Sequence, residues 1–272
     1  WWEFPSIGKE NARVKIASVF KSITVAFSMY SRIPMPRFRW ETEDMRYHLC
    51  FFPWVGGVIG ILEYLWLLGV ARLGIGPAAA TLIALSIPIL VTGGFHLDGF
   101  MDTCDALSSW RTREERLQIL SDPHIGAFSV IRLALFGLIY GAALSELTAE
   151  GRILWMGTFF LARCLSGYTV VTFPKAKRTG LAQTESDTAA RRTAGILLLL
   201  QGGICIAWML WRSPAAGGTV LAIALLGTLH YRRFSDRKFG GITGDLAGWF
   251  LCRMELAMVL GLWAVGILTG IF

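Results

Sequence analysis

Apolar residues run through the chain in long blocks separated by short polar stretches. The blocks cover residues 49–71, 78–95, 127–148, 153–173, 194–211, 218–230 and 246–271. A membrane-crossing helix needs about 17–25 mostly apolar residues, so the pattern predicts seven spans, with 218–230 short for one. Upstream, "VKIASVFKSITVAFSMYS" (14–31) is more polar. Its Ile16, Val19, Phe20, Ile23 and Phe27 keep helical spacing opposite Ser18, Lys21 and Ser22, which suits a helix lying in the interface or re-entering the membrane. The expected fold is all-α: a polytopic transmembrane helical bundle of about seven spans plus an N-terminal interfacial or re-entrant helix.

Composition agrees, with 54% of the 272 residues hydrophobic and 17% charged, which excludes disorder and departs from the soluble average. No repeat or linker-like stretch divides the chain, so residues 1–272 read as a single integral-membrane domain. The first apolar stretch follows basic residues and leads to no small-residue cleavage site, so no cleavable signal peptide is expected. The net charge of +7 is unevenly placed. Residues 1–48, 96–126, 174–193 and 231–245 hold eight, three, five and four Lys or Arg, twenty in all, whereas the alternate connections hold only Arg72, Arg152 and Arg212. The positive-inside rule puts the rich set in the cytoplasm, with the N-terminus inside and the C-terminus outside a bacterial cytoplasmic (inner) membrane. Topology and attraction to anionic membrane lipid account for the charge without a nucleic-acid partner. The five cysteines show no paired spacing and read as small, reduced core residues.

The chemistry gathers in "GGFHLDGFMDTCDALSSW" (93–110). Asp98, Asp102 and Asp105 fall within roughly 60° of one another on a helix, a repulsive arrangement unless a cation sits among them. Asp122 in "SDPHIGAF" and Asp245 in "GGITGDLAGW" belong to the same cytoplasmic layer. Converging carboxylates suit Mg²⁺, which normally completes its octahedron with water and substrate phosphates. The expected metal ligands are Asp98, Asp102, Asp105, Asp122 and Asp245; a solvated acidic face is the plain alternative. Glycines beside them (93, 94, 99, 240, 241 and 244) suit backbone that approaches a ligand closely, which makes Gly94, Gly241 and Thr243 candidate substrate contacts.

His96, Asp105 and Asp122 are the candidate catalytic residues. For His96 three roles stay open: general base, phosphate contact or helix-end hydrogen-bond donor. Arg163 lies in the span "FFLARCLSG", where a guanidinium needs a cavity or partner; it is expected to clamp a diphosphate or pair with an aspartate. Glu63 and Glu255, also within spans, have Arg163, Arg132 and Arg253 as candidate partners. Arg32 and Arg37 suit either a phosphate or lipid headgroups.

"GGFHLDGFMDTCDAL", "SDPHIGAF" and "GGITGDLAGW" resemble the signature stretches of the cobalamin synthase family, the adenosylcobinamide-GDP ribazoletransferases. "SRIPMPRF" (31–38), "FFPWVGGVIG" (51–60) and "KRTGLAQ" (177–183) extend the resemblance over nearly the whole chain. Phe100, Met101, Ala106, Pro123 and His124 depart from the family pattern. The resemblance implies a Mg²⁺-dependent membrane enzyme facing the cytoplasm. It would join adenosylcobinamide-GDP to alpha-ribazole, or to alpha-ribazole 5′-phosphate, and release GMP. Oligomeric state is left open.

Two other readings have weaker support. A CDP-alcohol phosphotransferase would carry Asp-Gly-x-x-Ala-Arg with a further Gly-x-x-x-Asp-x-x-x-Asp, and neither the Ala-Arg nor that second spacing follows Asp98 and Gly99; a prenyltransferase would show two widely separated Asp-x-x-x-Asp pairs, whereas Asp122 and Asp245 are single. A secondary transporter would place acids near the bilayer midplane and show inverted repeats, whereas the aspartates gather at one surface.

Overall fold

A computed structural model describes residues 7–36, 42–176 and 190–269. Arg37, Lys177, Arg178 and the stretch 177–183 lie outside the described residues. Among those described, ten α-helices follow one another: α1 (Ile7–Tyr30), α2 (His48–Leu73), α3 (Pro77–Thr92), α4 (Phe95–Ser108), α5 (Arg113–Ile119), α6 (Ala127–Ser145), α7 (Ala149–Thr172), α8 (Arg191–Arg212), α9 (Pro214–Phe239) and α10 (Gly244–Thr269). Local chemistry starts several of them. Pro77 and Pro214 open α3 and α9, where a missing N–H costs nothing. Thr148 accepts from the Gly151 N–H to cap α7, and Thr112 forms a reciprocal capping box with Glu115 at α5.

The helix α2 and helices α6 to α10 are long and apolar enough to cross a membrane. A seventh candidate is the pair of α3, a 16-residue helix, and α4, which bends away from it by 96°, a broken span or a re-entrant loop by length and composition. At 14 residues α4 is only about 21 Å long, too short to cross, and we read it as lying outside the spans. The short sixth block of the sequence belongs to α9, which runs 26 residues because its last two turns are basic.

Helix α7 is the most buried span and packs against α2, α8 and α10. Its contact with α2 is a backbone-to-backbone approach. A Cβ at Gly56 would fall 2.3 Å from the Phe159 carbonyl oxygen, and one at Gly60 would fall 2.7 Å from that of Met156. Gly56 and Gly60 are four apart on one face, the small-residue spacing that lets membrane helices meet closely. In helix α1, Ser22, Thr24, Val25 and Ala26 are buried, and Val19 and Phe20 of the apolar face turn outward. Lipid is as apolar as a core, so large apolar side chains turn outward while small and polar ones pack inward.

The basic connections meet at one end of the bundle. Ala176 N–H donates to the Ile242 carbonyl (2.9 Å) and Ile242 N–H to that of Pro174 (2.8 Å). Arg113 Nε donates to the Phe239 carbonyl (2.9 Å), and the Arg32 N–H to that of Val91 (2.7 Å). At the other end Arg212 pairs with Glu150 at 2.6 Å.

Gly56→Ala should destabilise the protein by about 1–3 kcal/mol, because two backbones must separate to admit the methyl. Gly69→Ala, with nothing within 4 Å of its Cβ, should be neutral or stabilising by up to about 1 kcal/mol. Thermal unfolding of both variants in detergent checks the contrast.

Candidate active site

The crossing of α4 over the start of α10 assembles the acidic group. A Cβ at Gly99 would lie 2.8 Å from the Asp245 Cα, and one at Gly248 would lie 3.0 Å from the His96 carbonyl oxygen. Only glycine at both points lets the two helices touch. The crossing brings Asp245 up to the face of α4 that carries Asp98, Asp102 and Asp105. Asp98 is exposed, and the other three are half-buried. Partial burial, followed by repulsion from Asp98, Asp245 and Asp105, pushes the Asp102 carboxyl from 3.8 up to about 6.

The four carboxylates are not equivalent. Asp105 is engaged: Oδ2 accepts from the Gly126 N–H (2.7 Å) and Oδ1 from the Ser129 N–H (2.9 Å). It thereby caps α6 from a distant part of the chain, satisfying donors that a helix N-terminus leaves open. Asp245 accepts from the Thr243 hydroxyl (3.3 Å), while that hydroxyl also accepts from the Leu246 N–H (3.2 Å). Thr243 is thus the cap of α10 and the holder of Asp245. Asp122 lies in the connection between α5 and α6, four residues before Gly126. It is exposed and folded onto His124, whose N–H and ring nitrogen meet its Oδ1 at 3.0 and 2.6 Å. Those bonds hold its carboxyl below the ordinary range.

Two further candidates, His96 and Arg163, lie on the other side of α4 from its carboxylates. His96 lies two residues, about 200°, from Asp98 around α4, so its ring points to the opposite side. It is buried against Phe52 and Phe95, with Nε2 lacking a hydrogen-bond partner among the described residues, and it faces away from the carboxylates. Arg163 is 1% exposed and donates from Nη1 to Glu255 Oε1 (2.9 Å) and to the Phe159 carbonyl (2.9 Å). Its carboxylate partner is Glu255 of α10, one of the pairings open for the intramembrane glutamates, and not an aspartate. His96, Arg163 and Glu255 share the wall of an apolar cavity of about 390 Å³ behind α4.

The glycine-rich frames divide in the same way. Gly93 and Gly94 both take left-handed φ (71° and 83°) to turn the chain from α3 into α4. The Arg32 side chain lies across Gly93, while the space beside Gly94 is open. Gly94 leaves α4 with no side-chain cap, so the first N–H groups face outward beside Asp98 and Arg32. Gly241 instead presses on the backbone of residues 174–176 and serves the strap between α7 and α10. Arg113, folded over Gly240, had no signal in the sequence, because its contact spans 126 positions.

Among the described residues no three His, Cys, Asp or Glu side chains converge as a closed metal-ligand set. The donor chemistry still suits Mg²⁺. Asp98, Asp102 and Asp245 offer hard oxygens at an open surface, and Mg²⁺ commonly takes one or two carboxylates and leaves other positions to water and phosphate.

Two measurements test this description. Replacing Arg163 by Met leaves Glu255 buried and unpaired, and should cost about 3–5 kcal/mol; adding Glu255→Leu should recover much of that loss in thermal unfolding. The raised Asp102 pKa means that its contribution to stability is present below about pH 4 and is lost as pH rises through about 6. In EDTA, Asp102→Asn should match wild type near pH 4 and melt higher than wild type near pH 7.5. Equal melting at both pH values would contradict the crowding of these carboxylates.

Comparison with known proteins follows the same residues. The family model for cobalamin-5-phosphate synthase matches residues 22–263. A protein of Lachnoclostridium phytofermentans named adenosylcobinamide-GDP ribazoletransferase is 42% identical over 86% of this chain and 90% of its own length. Proteins of the same name from Rhizobium johnstonii (36% identical, 92% and 98% covered) and Clostridium perfringens (30%, 89% and 96%) are also similar. No solved structure matches. The matched region contains α2 to α9, the carboxylate-bearing crossing and most of α10, and on this evidence the chain belongs to the cobalamin-5-phosphate synthase family.

Proposed function

We propose that this chain transfers the adenosylcobinamide phosphate moiety from adenosylcobinamide-GDP to alpha-ribazole or its 5′-phosphate, releasing GMP. The name shared by its relatives supports the activity. The single observation that carries the site is the crossing at Gly99 that sets Asp245 beside the face of α4 bearing Asp98 and Asp102. A ribose hydroxyl of the acceptor attacks the phosphorus attached to the corrinoid arm, a P–O bond forms there, and the bond to the GMP phosphate breaks. Mg²⁺, when bound, supplies charge neutralisation for the diphosphate as that bond opens.

The chain's own residues divide the remaining work. Asp98, Asp102 and Asp245 hold the cation, with Thr243 fixing the Asp245 carboxylate. The free N–H groups at the start of α4, with Arg32 alongside, receive phosphate oxygens, as helix N-termini do. Asp105 positions α4 against α6. The site faces the cytoplasm of a bacterial inner membrane; the twenty Lys and Arg in the connections at that end support this orientation.

GMP release from adenosylcobinamide-GDP, with Mg²⁺ titrated, tests the reading. Asp98→Asn, Asp102→Asn and Asp245→Asn should each fold and lose on the order of 10²-fold or more in turnover. Asp122→Asn should stay within about threefold of wild type, since an exposed side chain already bonded to His124 stabilises little of the developing charge. Wild-type turnover in Asp98→Asn and Asp102→Asn would overturn the site.

A further inference from the structure

A second cavity, of about 500 Å³, lies between α7, α8 and α9, away from the carboxylates. On α9 its wall is the stripe Leu221, Leu225, Thr228 and Arg232, which recurs at helical spacing along one face. From Leu221 to Arg232 the stripe rises about 16 Å, close to half of the roughly 30 Å hydrocarbon core and therefore the depth of one leaflet. Leu225 and Leu229 are exposed at its lip, so the groove opens sideways to lipid.

Three polar side chains break the apolar wall: Thr228 and Arg232, one turn apart on α9, and Tyr168 near the end of α7. Thr92, Thr172 and Thr219 each donate back to the carbonyl four residues earlier, the usual resort of a threonine in a helix. The buried Thr228 hydroxyl has no partner among the described residues, and its residue lines the groove. Arg232 stands at the basic end, its guanidinium 5.1 Å from the Phe173 ring centre. Arg191 and Arg192 at the start of α8, and Arg233 on α9, are exposed at that same end. The order from the basic end is cation, the hydroxyl-bearing Tyr168 and Thr228, then an apolar channel one leaflet deep. That is the order of phosphate, glycerol ester and acyl chain in a glycerophospholipid.

We propose that this groove holds one anionic glycerophospholipid, with its phosphate on Arg232, an ester carbonyl accepting from Thr228 and one acyl chain along α8 and α9. Arg232 at the mouth, in a bundle end that also carries Arg192 and Arg233, favours an anionic headgroup over a zwitterionic one. The site bears on catalysis through Phe173. That residue precedes the strap 174–176, which pairs with Ile242, three residues before Asp245. The link to turnover rests on the transferase reading above; the lipid site does not.

The experiment is native mass spectrometry of the full chain, delipidated in mild detergent and re-exposed to phosphatidylglycerol or phosphatidylcholine. Wild type should retain one phosphatidylglycerol per chain in preference to phosphatidylcholine. Arg232→Gln should weaken that retention about fivefold, and Leu225→Trp, which fills the groove from its lip, should remove both lipids. Equal retention of the two lipids by wild type, or unchanged phosphatidylglycerol retention in both variants, overturns the site. GMP release in nanodiscs of each lipid should be higher with phosphatidylglycerol. No release in either lipid would count against the transferase reading and leave the mass-spectrometric result standing.

Discussion

The acidic group depends on the contact between Gly99 and the Asp245 backbone, where α4 crosses the first turn of α10. Like charges brought this close raise the energy of the folded chain, so a strong constraint has to hold them. The crossing supplies it, because both helices lose their side chains at the point of approach and pack backbone against backbone. Asp105 adds a second restraint by binding the start of α6 with both of its oxygens. One carboxylate of the cluster therefore stabilises the architecture, and the other three remain directed to an open surface.

Behind this surface the bundle solves a different problem. Arg163 and Glu255 sit where water is scarce, and neither charge is tolerable alone. Their pairing ties the central α7 to α10, the helix that carries Asp245. On the basic side, the strap that follows α7 pairs with the residues that precede α10. The start of α10 is thus fixed from the membrane interior and from the surface at once. Binding chemistry at Asp245 is supported by residues that have no place in the site.

Much of this was legible in the chain. Seven apolar blocks and the imbalance of basic connections gave the spans and their common end, since hydrocarbon thickness and backbone satisfaction leave a membrane chain few alternatives. The spacing of Asp98, Asp102 and Asp105 placed them on one face because helical periodicity is local. The same periodicity, applied to His96, already set it about 200° from Asp98; proximity in sequence obscured that.

The amino-acid sequence by itself determined the spans, the shared face of three aspartates and the family to which the chain belongs, because each is written in local composition and short-range spacing. Only the tertiary structure decided which carboxylates meet. It gave Asp105 to the α6 terminus, left Asp122 on His124, brought Asp245 across to Gly99 and buried Arg163 against Glu255. Those outcomes depend on contacts between residues up to about 146 positions apart, and no local pattern encodes which helix surfaces will touch.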